Sequence, residues 1–555
     1  MKLKTYLTIL ISVILTSLSP GILIAQLNQG GIPLSFSRSM VPDDQHLIMV
    51  TPPSKDLLQQ TLAQPDVPYH FALNIPVDLG IGSSGNWETA PDGTRVWRLN
   101  VRSPGALALT LYFDLFRIPE GGKLFVYNPM RTRLLGAFTS LNNNNMSSFA
   151  TALIQGDQLT LEYDTPDGLS LPELHISEIA YAYRGVPDYT SQKTGFGGSG
   201  KCEVNVNCSE GNNWQNQKRG VARLQIKRSN QQDVFCTGTL VNNTKNDGTP
   251  YLLTADHCGR YSSPLDMSQW IFYFDYESMD CPNPANEPLS KSMTGASLIS
   301  HGGNGGSTGS DFFLVLLNSA IPDTFNAYYN GWNRDTASIS PSGVGIHHPE
   351  GDIKKISTYT VPVQKALWIG DAVLSHWRVV WSATTNGHGT TEPGSSGSPL
   401  FDEQGCLIGT LTGGESKCDT ASLNKPDYYG MFSYHWDKNG SDPGSTLKYW
   451  LDPVNSGVAS LKGWALSVGE IKQTDLITIW PNPVTDQLNF RTNLTIGKTT
   501  RVLITDLWAN QLMSSELFFS NYKEEHLNLA GFAKGMYLVR ITDGEHQVVR
   551  KIIKE

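Results

Sequence analysis

Charge is scarce in this sequence of 555 residues: Asp, Glu, Lys and Arg together make up 17% of it, below the roughly 25% usual in soluble proteins. Its 42 basic residues fall short of its 51 acidic ones, for a formal net charge of −9. The basic stripe of a nucleic-acid binder is therefore missing. The seven cysteines are too few for a disulfide-dense miniprotein, and their odd number leaves one outside any set of pairs. Beyond the first residues no segment holds about 18 uninterrupted apolar residues, which excludes a further membrane-spanning helix. What is present is 39% hydrophobic content with 10% aromatics, and glycine at 52 positions. That content can fill a core and excludes disorder, and the length suggests about three to four domains.

The two ends read as address labels. Lys2 and Lys4 precede an apolar stretch from Tyr6 to about Leu18, and Ala25 offers a cleavage point before Gln26. The Pro20-Gly21 break and the Thr and Ser content favour a removable signal at 1–25 over a retained anchor. Export places the cysteines in an oxidising compartment, where disulfides are expected. At the other end, about 475–555, alternating stretches such as QLNFRTN, RVLITDL, GMYLVRIT and HQVVRKIIK are separated by Gly, Asn and Asp turns, the pattern of a small β-sandwich. IWPNPVTDQLNF at Ile479–Phe490, then GMYLVRI at Gly535–Ile541, then the basic end VVRKIIKE resembles the C-terminal sorting domain of type IX secretion cargo. The resemblance implies recognition by that secretion machinery, passage through the periplasm and outer membrane, and release or attachment at the cell surface.

Residues 26–193 contain no cysteine. VWRLNV places Trp97, Leu99 and Val101 on one face of a strand, and QLTLEY does the same with Leu159, Leu161 and Tyr163. ALALTLYFDLFRIPEGGKLFVYNP reads as two strands around Pro119-Glu120-Gly121-Gly122, and the asparagine run Asn142–Asn145 marks an exposed loop. The region is expected to be all-β. It serves either as a carbohydrate- or partner-binding module or as a propeptide, and the central segment of the chain favours the second.

Three stretches of that central segment carry chemistry: CTGTLVNNTKNDGTPYLLTADHCG at Cys236–Gly259, GSTGSDFFLVLLN with Asp311 before an apolar strand, and TEPGSSGSPLF at Thr391–Phe401. Attack on an amide needs an activated hydroxyl, an oriented base and donors for the oxyanion. Ser396, His257 and Asp311 can supply the first two, in the chain order His, Asp, Ser. Gly394 lets the backbone turn so that its N–H and that of Ser396 point at one spot.

With CTGTLVNNT, YLLTADHCG, SDFFLVLLN, GWNRD, GIHHPEGDIKKIS, TEPGSSGSPLF, PDYYG and KYWLDP in order, the segment from about Thr194 to Gly463 resembles the lysyl endopeptidases, chymotrypsin-like serine proteases. The resemblance implies an all-β protease at 194–465, two six-stranded barrels with the site between them, joined by a linker at 466–474 to the sorting domain. It implies cleavage after Lys in protein or peptide substrates, with no metal or cofactor. An Arg-preferring or dual trypsin-like protease is the nearest rival, and an idle surface adhesin the more distant one.

The family's pocket carboxylate maps onto Asp427 in KPDYYG, beside Gly413 and Gly414, and its substrate-side Trp onto Trp368. Thr412 stands where reference members have a His stacked on that Trp, so the stack is expected to be lost. Ser395 stands where related digestive enzymes carry an Asp that pairs with a new N-terminus. Activation is therefore expected to follow removal of a folded propeptide, both folding aid and inhibitor, by self-cleavage after Lys193. Three disulfides are implied: Cys202 with Cys418, Cys208 with Cys281, and Cys236 with Cys258. Cys406 in EQGCLIGTL is left over, and its apolar neighbours suggest a buried free thiol. His347 and His348, adjacent on a strand, point to opposite faces. Without an HExxH signature they read as structural rather than metal-binding.

Overall fold

Period-two patterning builds the first layers. In the computed structural model, strand Gln158–Thr165 pairs antiparallel with Arg95–Arg102, setting Leu161 opposite Leu99 and Tyr163 opposite Trp97. These side chains share one core with Leu109, Leu111 and Phe113 of a second sheet. Burying each large apolar side chain there is worth roughly 1.5–3 kcal/mol, and the result is a β-sandwich. The structure describes residues 29–37, 47–64, 68–90, 92–166, 168–184, 196–337, 339–369, 373–465, 477–492, 498–506, 511–519, 525–542 and 547–555. The signal segment, Lys193 and the 466–474 linker lie outside them.

One detail adds to the sequence reading and one differs from it. The strands flanking Pro119–Gly122, Ala108–Arg117 and Lys123–Tyr127, do not pair with each other but lie in different sheets. The turn hands the chain across the sandwich, because both strands bury apolar faces against the same core from opposite sides. The asparagine run is not simply exposed. Asn142 is buried and its Oδ1 accepts the Thr139 amide at 2.8 Å, while Asn143 Oδ1 accepts the Ile118 amide at 2.9 Å. Side-chain-to-backbone bonds of this kind suit asparagine to closing tight loops.

The central segment forms two barrels. In the first, Ile271–Phe274, Val221–Lys227, Gln232–Leu240, Tyr251–Thr254 and Phe312–Leu317 are neighbours in order. Closure comes from the run Lys291–Thr294 and Ala296–Gly302, whose first half pairs with Ile271–Phe274 and whose second half pairs with Phe312–Leu317. Gly295, at φ +91°, makes the bend between the halves. In the second barrel the order is Lys355–Tyr359, Gly343–His347, Pro399–Asp402, Leu407–Gly414, Asp427–Met431 and His376–Val379, and the Ser382 amide reaches the Thr358 carbonyl at 2.8 Å across the remaining gap.

The sandwich and the first barrel share a sheet. Strand Tyr69–Gly80 pairs with Glu173–Ala182 on one side and with Gln232–Leu240 on the other. Leu466–Glu555 form a separate compact unit, a three-stranded and a four-stranded sheet closed over Leu488, Phe490, Val502, Ile504, Val539 and Ile541. The longest helix among the described residues is the eight-residue Lys55–Leu62, and none is long and apolar enough to cross a membrane.

Candidate active site

His257 lies in the short helix Asp256–Gly259, held to strand Gln232–Leu240 by the Cys236–Cys258 disulfide. Asp311 precedes strand Phe312–Leu317 and is completely buried. It accepts the His257 amide on Oδ1 at 3.0 Å and the ring Nδ1–H on Oδ2 at 2.6 Å. Burial opposes the Asp311 charge, but the neighbouring His257, through its charge and hydrogen bonds, outweighs it and holds the carboxyl below its ordinary range. The imidazole is thereby fixed with its proton on Nδ1. His257 Nε2 is buried and makes no hydrogen bond, so it is free to accept a proton.

Ser396 sits on the turn between Thr391 and strand Pro399–Asp402, 5% exposed. Gly394 at φ +95° and Gly397 at φ +78° shape that turn. A Cβ on Gly394 would lie 2.9 Å from the His348 carbonyl, and one on Gly397 would lie 2.7 Å from the Ala255 amide, two residues before His257. The Thr237 amide and hydroxyl donate to the carbonyls of Ser396 at 2.8 Å and Gly394 at 2.9 Å. Among the described residues the Gly394 and Ser396 amides donate to no protein acceptor, which leaves both open for an anionic oxygen.

His347 and His348 serve the turn and its surroundings. His347 Nδ1 bonds the Ser395 hydroxyl at 2.8 Å and Nε2 the Ser357 hydroxyl at 3.0 Å. Burial, with Lys355 nearby, pushes its pKa down to about 3, so it is neutral. His348 points the other way, bonding the Asp352 carbonyl and stacking on Tyr276 at 6.1 Å.

Behind the turn lies Asp427, completely buried at the start of strand Asp427–Met431. Its Oδ2 accepts Trp381 Nε1 at 2.6 Å, Ser416 Oγ at 2.6 Å and Thr391 Oγ1 at 2.8 Å, while Oδ1 accepts only the Ser416 amide at 3.2 Å. Any side chain at Gly414 would overlap this carboxylate. Burial raises the Asp427 pKa, with the bonds from Ser416, Trp381 and Thr391 pulling the other way. Trp368 faces Gly413, whose Cβ would lie 3.3 Å from the indole.

Comparison with known proteins matches three regions of the chain. Residues 196–430 match the family model "Lysyl endopeptidase, C-terminal domain", residues 82–180 "Lysyl endopeptidase N-terminal domain", and residues 478–555 "Secretion system C-terminal sorting domain". The chain is a serine endopeptidase, similar in its N-terminal and central regions to the lysyl endopeptidases. The lysyl endopeptidase of Pseudomonas aeruginosa is 26% identical over 384 residues, 64% of this chain and 79% of that protein. Among solved structures, HL collagenase aligns at 17% identity over 39% of this chain and 90% of its own, TM-score 0.29. GrC aligns at 17% over 42% and 94%, also with TM-score 0.29. The sorting domain marks this endopeptidase for export, to the medium or the cell surface.

Beside Trp368 stands a residue that the sequence reading of Thr412 did not include. Thr412 does not leave Trp368 without a histidine. His376, buried on strand His376–Val379, lies 5.8 Å from the indole at 31° and bonds the Thr412 hydroxyl through Nε2 at 3.0 Å. A histidine thus reaches the Trp from the strand on the far side of Asp427–Met431, with Thr412 as its tether. His376, Trp381, Thr391 and Ser416 were not singled out from the sequence. The SHW run (Ser375 to Trp377) and Trp381 carried no motif that separates them from core residues. The chain pairs Cys202–Cys418, Cys208–Cys281 and Cys236–Cys258. Cys406 is free but only partly buried, correcting the expectation of a buried thiol. Burial, with Asp402 adjacent, still pushes its pKa up to about 12, which makes it a poor nucleophile.

Proposed function

We propose that the chain is the precursor of an endopeptidase that cuts on the carboxyl side of lysine. The observation that carries the reading is Asp427, a buried carboxylate behind the Ser396 turn with one oxygen saturated by three donors and the other nearly free. A single available oxygen suits the compact ammonium of Lys. A guanidinium would seek two oxygens in its plane, so this geometry favours Lys over the Arg-preferring alternative.

Ser396 Oγ attacks the carbonyl carbon while its proton passes to His257 Nε2, and Asp311 steadies the imidazolium through Nδ1–H. The carbonyl π pair moves onto oxygen, where the Gly394 and Ser396 amides receive the charge. On collapse the C–N bond breaks, the nitrogen takes the proton from His257, and the acyl group stays on Ser396. Water, deprotonated by the same Nε2, then attacks the ester; the bond from the acyl carbon to Ser396 Oγ breaks, Oγ takes the proton back from His257, and the acid product leaves and ionises to the Lys carboxylate. Gly413 and Gly414 line the pocket wall, and Trp368 closes its outer side.

The N-terminal sandwich acts as the propeptide, assisting folding and blocking the enzyme until self-cleavage after Lys193. Hydrolysis of Lys and Arg esters by processed wild type, Ser396→Ala and Asp427→Asn tests the assignment. Lys turnover should exceed Arg turnover and vanish in Ser396→Ala, whereas faster Arg turnover would overturn the Lys preference. Processing at Lys193 in a Ser396→Ala chain made in a protease-free host would show that self-cleavage is wrong.

A further inference from the structure

One edge of strand Gln232–Leu240 has three successive occupants. At its far end Thr239 and Leu240 pair with Leu253 and Leu252 of the same barrel. In the middle the Thr237 amide holds the carbonyl of Ser396 at 2.8 Å. Immediately before that, the propeptide takes over: Phe235 pairs with Tyr69, Val234 with His70, Asp233 with Ala72 and Gln232 with Leu73. The propeptide strand therefore begins two residues from the backbone that grips the nucleophile.

The acyl half of a substrate belongs on the other barrel, along Gly413 and Gly414 and over Asp427. Its leaving half must run away from Ser396 in the opposite direction, past the first barrel. There the backbone able to pair with an extended chain is Gln232–Phe235, the stretch the propeptide covers. Stripped of that strand, it presents an unpaired row of N–H and C=O groups, the template to which an extended peptide adds.

The side chains at the junction are built for occupancy. Phe71 stacks on Phe235 with centroids 3.9 Å apart and planes 6° apart. Asp233 receives Asn74 Nδ2 at 2.8 Å and the Tyr112 hydroxyl. Phe71, Phe235 and Asp233 are all completely buried.

We propose that strand Tyr69–Gly80 blocks the leaving-group side of the cleft by pairing with Gln232–Phe235, the edge along which the leaving half of an extended peptide would otherwise lie. The inference rests on the Ser396 endopeptidase reading. It predicts a block that depends on the length of the substrate.

The test compares two substrates with the same acyl half: a Lys ester with nothing beyond the scissile bond, and a peptide continuing several residues past it. The uncleaved full chain, carrying Lys193→Gln and shown intact by mass, is compared with the processed enzyme. Losing the few backbone bonds of the leaving half should lower the peptide-to-ester ratio of kcat/KM by about 100-fold in the uncleaved chain. Ala72→Pro, which breaks the pairing, should restore the ratio. Phe71→Ala, which removes only the stack and is the milder change for folding, should restore it in part. Equal ratios in the two forms would overturn the proposal, and so would an uncleaved chain dead to both substrates beside a processed enzyme active on both. A processed enzyme inactive on the ester would instead overturn the endopeptidase reading beneath it.

Discussion

Replacing Asp427 with Asn is the sharpest perturbation of the specificity pocket, because the surrounding donors dictate how the new amide must sit. Trp381, Thr391 and Ser416 all donate to Oδ2, so the Asn carbonyl must take that position and the NH₂ group must take the other. That places two N–H donors at the oxygen left for substrate, where they face an ammonium. The lost attraction, for charges about 4 Å apart at an effective dielectric constant of about 20, is about 4 kcal/mol, a factor of about 10³. The expected result is a fall of about 10³-fold in kcat/KM for a Lys ester. A norleucine ester, equally long and uncharged, should change by less than about threefold, since no charge is lost with it. Steady-state kinetics on the two esters, with thermal melts to confirm folding, make the measurement. A parallel fall on both esters would show that Asp427 only supports the fold, and a Lys effect under about tenfold would refute the electrostatic argument.

The same carboxyl gives a pH signature. Its pKa is raised, first by burial, so the charged form is lost at a higher pH than for an ordinary Asp. KM for Lys substrates should rise as pH falls through that raised value, while KM for the norleucine ester stays flat. In linkage terms the folded state holds this proton more tightly than the unfolded chain. The stability that the protonated form contributes is complete below the ordinary value of 3.8 and is lost as pH rises through the raised one.

Gly394→Ala puts a Cβ 2.9 Å from the His348 carbonyl at φ +95°, so the turn must shift one oxyanion donor. The expected outcome is a fall of about 10²–10³-fold in kcat with KM nearly unchanged, read from steady-state kinetics on the Lys ester. Removing the Cys236–Cys258 bridge with paired Ala substitutions opens a crosslink spanning 22 residues. Denaturant unfolding of the variant should show a loss of about 3 kcal/mol, and a loss under about 1 kcal/mol would show that the loop is held without it. Asp233, faced by Tyr112, Asn74, Lys227 and Glu178, is pushed up by burial to about 7 while docked on the propeptide. Freed of it, the carboxyl returns toward its ordinary value of 3.8, so docking weakens as pH rises through the interval up to about 7. Size-exclusion chromatography after processing should retain more propeptide at pH 5.5 than at pH 8, and Asp233→Asn should flatten that difference.

The site was legible where its chemistry is written locally. His257 beside its cysteine, Ser396 between glycines and Asp311 before an apolar strand each announce themselves within a few residues, because catalysis needs those neighbours in sequence. Strand existence was legible for a similar reason: alternation at Trp97, Leu99 and Val101 is a one-strand property. Pairing is not. The two strands around Pro119–Gly122 are legible as strands, but the sheet each joins is decided by the partners on its edges, and those come from Gln158–Thr165 and Glu173–Ala182. The donors around Asp427 escaped for the same reason, since Trp381, Thr391 and Ser416 meet only when the second barrel closes. His376 escaped more completely. A one-for-one alignment sees Thr412 as the loss of a histidine, whereas the fold brings an imidazole from the strand beyond Asp427–Met431 and ties it through the hydroxyl at that position.

The bonds around the Ser396 turn also bear on what removal of the proposed propeptide would have to accomplish. Ser395 carries no charge and is held by a neutral histidine, His347. The segment just after the processing region is already docked in the full chain. The Gly197 amide reaches Asp352 Oδ1 at 2.7 Å, Ser199 Oγ reaches Oδ2 at 2.5 Å, and the Gly200 amide reaches Glu392 Oε2 at 2.9 Å. Glu392 belongs to the turn itself: its carbonyl accepts the Ser395 amide and its own amide donates to the Ser395 hydroxyl. None of these contacts uses an α-ammonium, so cutting upstream adds no charge that the turn requires. The oxyanion donors are therefore shaped before cleavage. On the proposal above, what processing changes is access along Gln232–Phe235, where a strand has to leave before the leaving half of a peptide can enter.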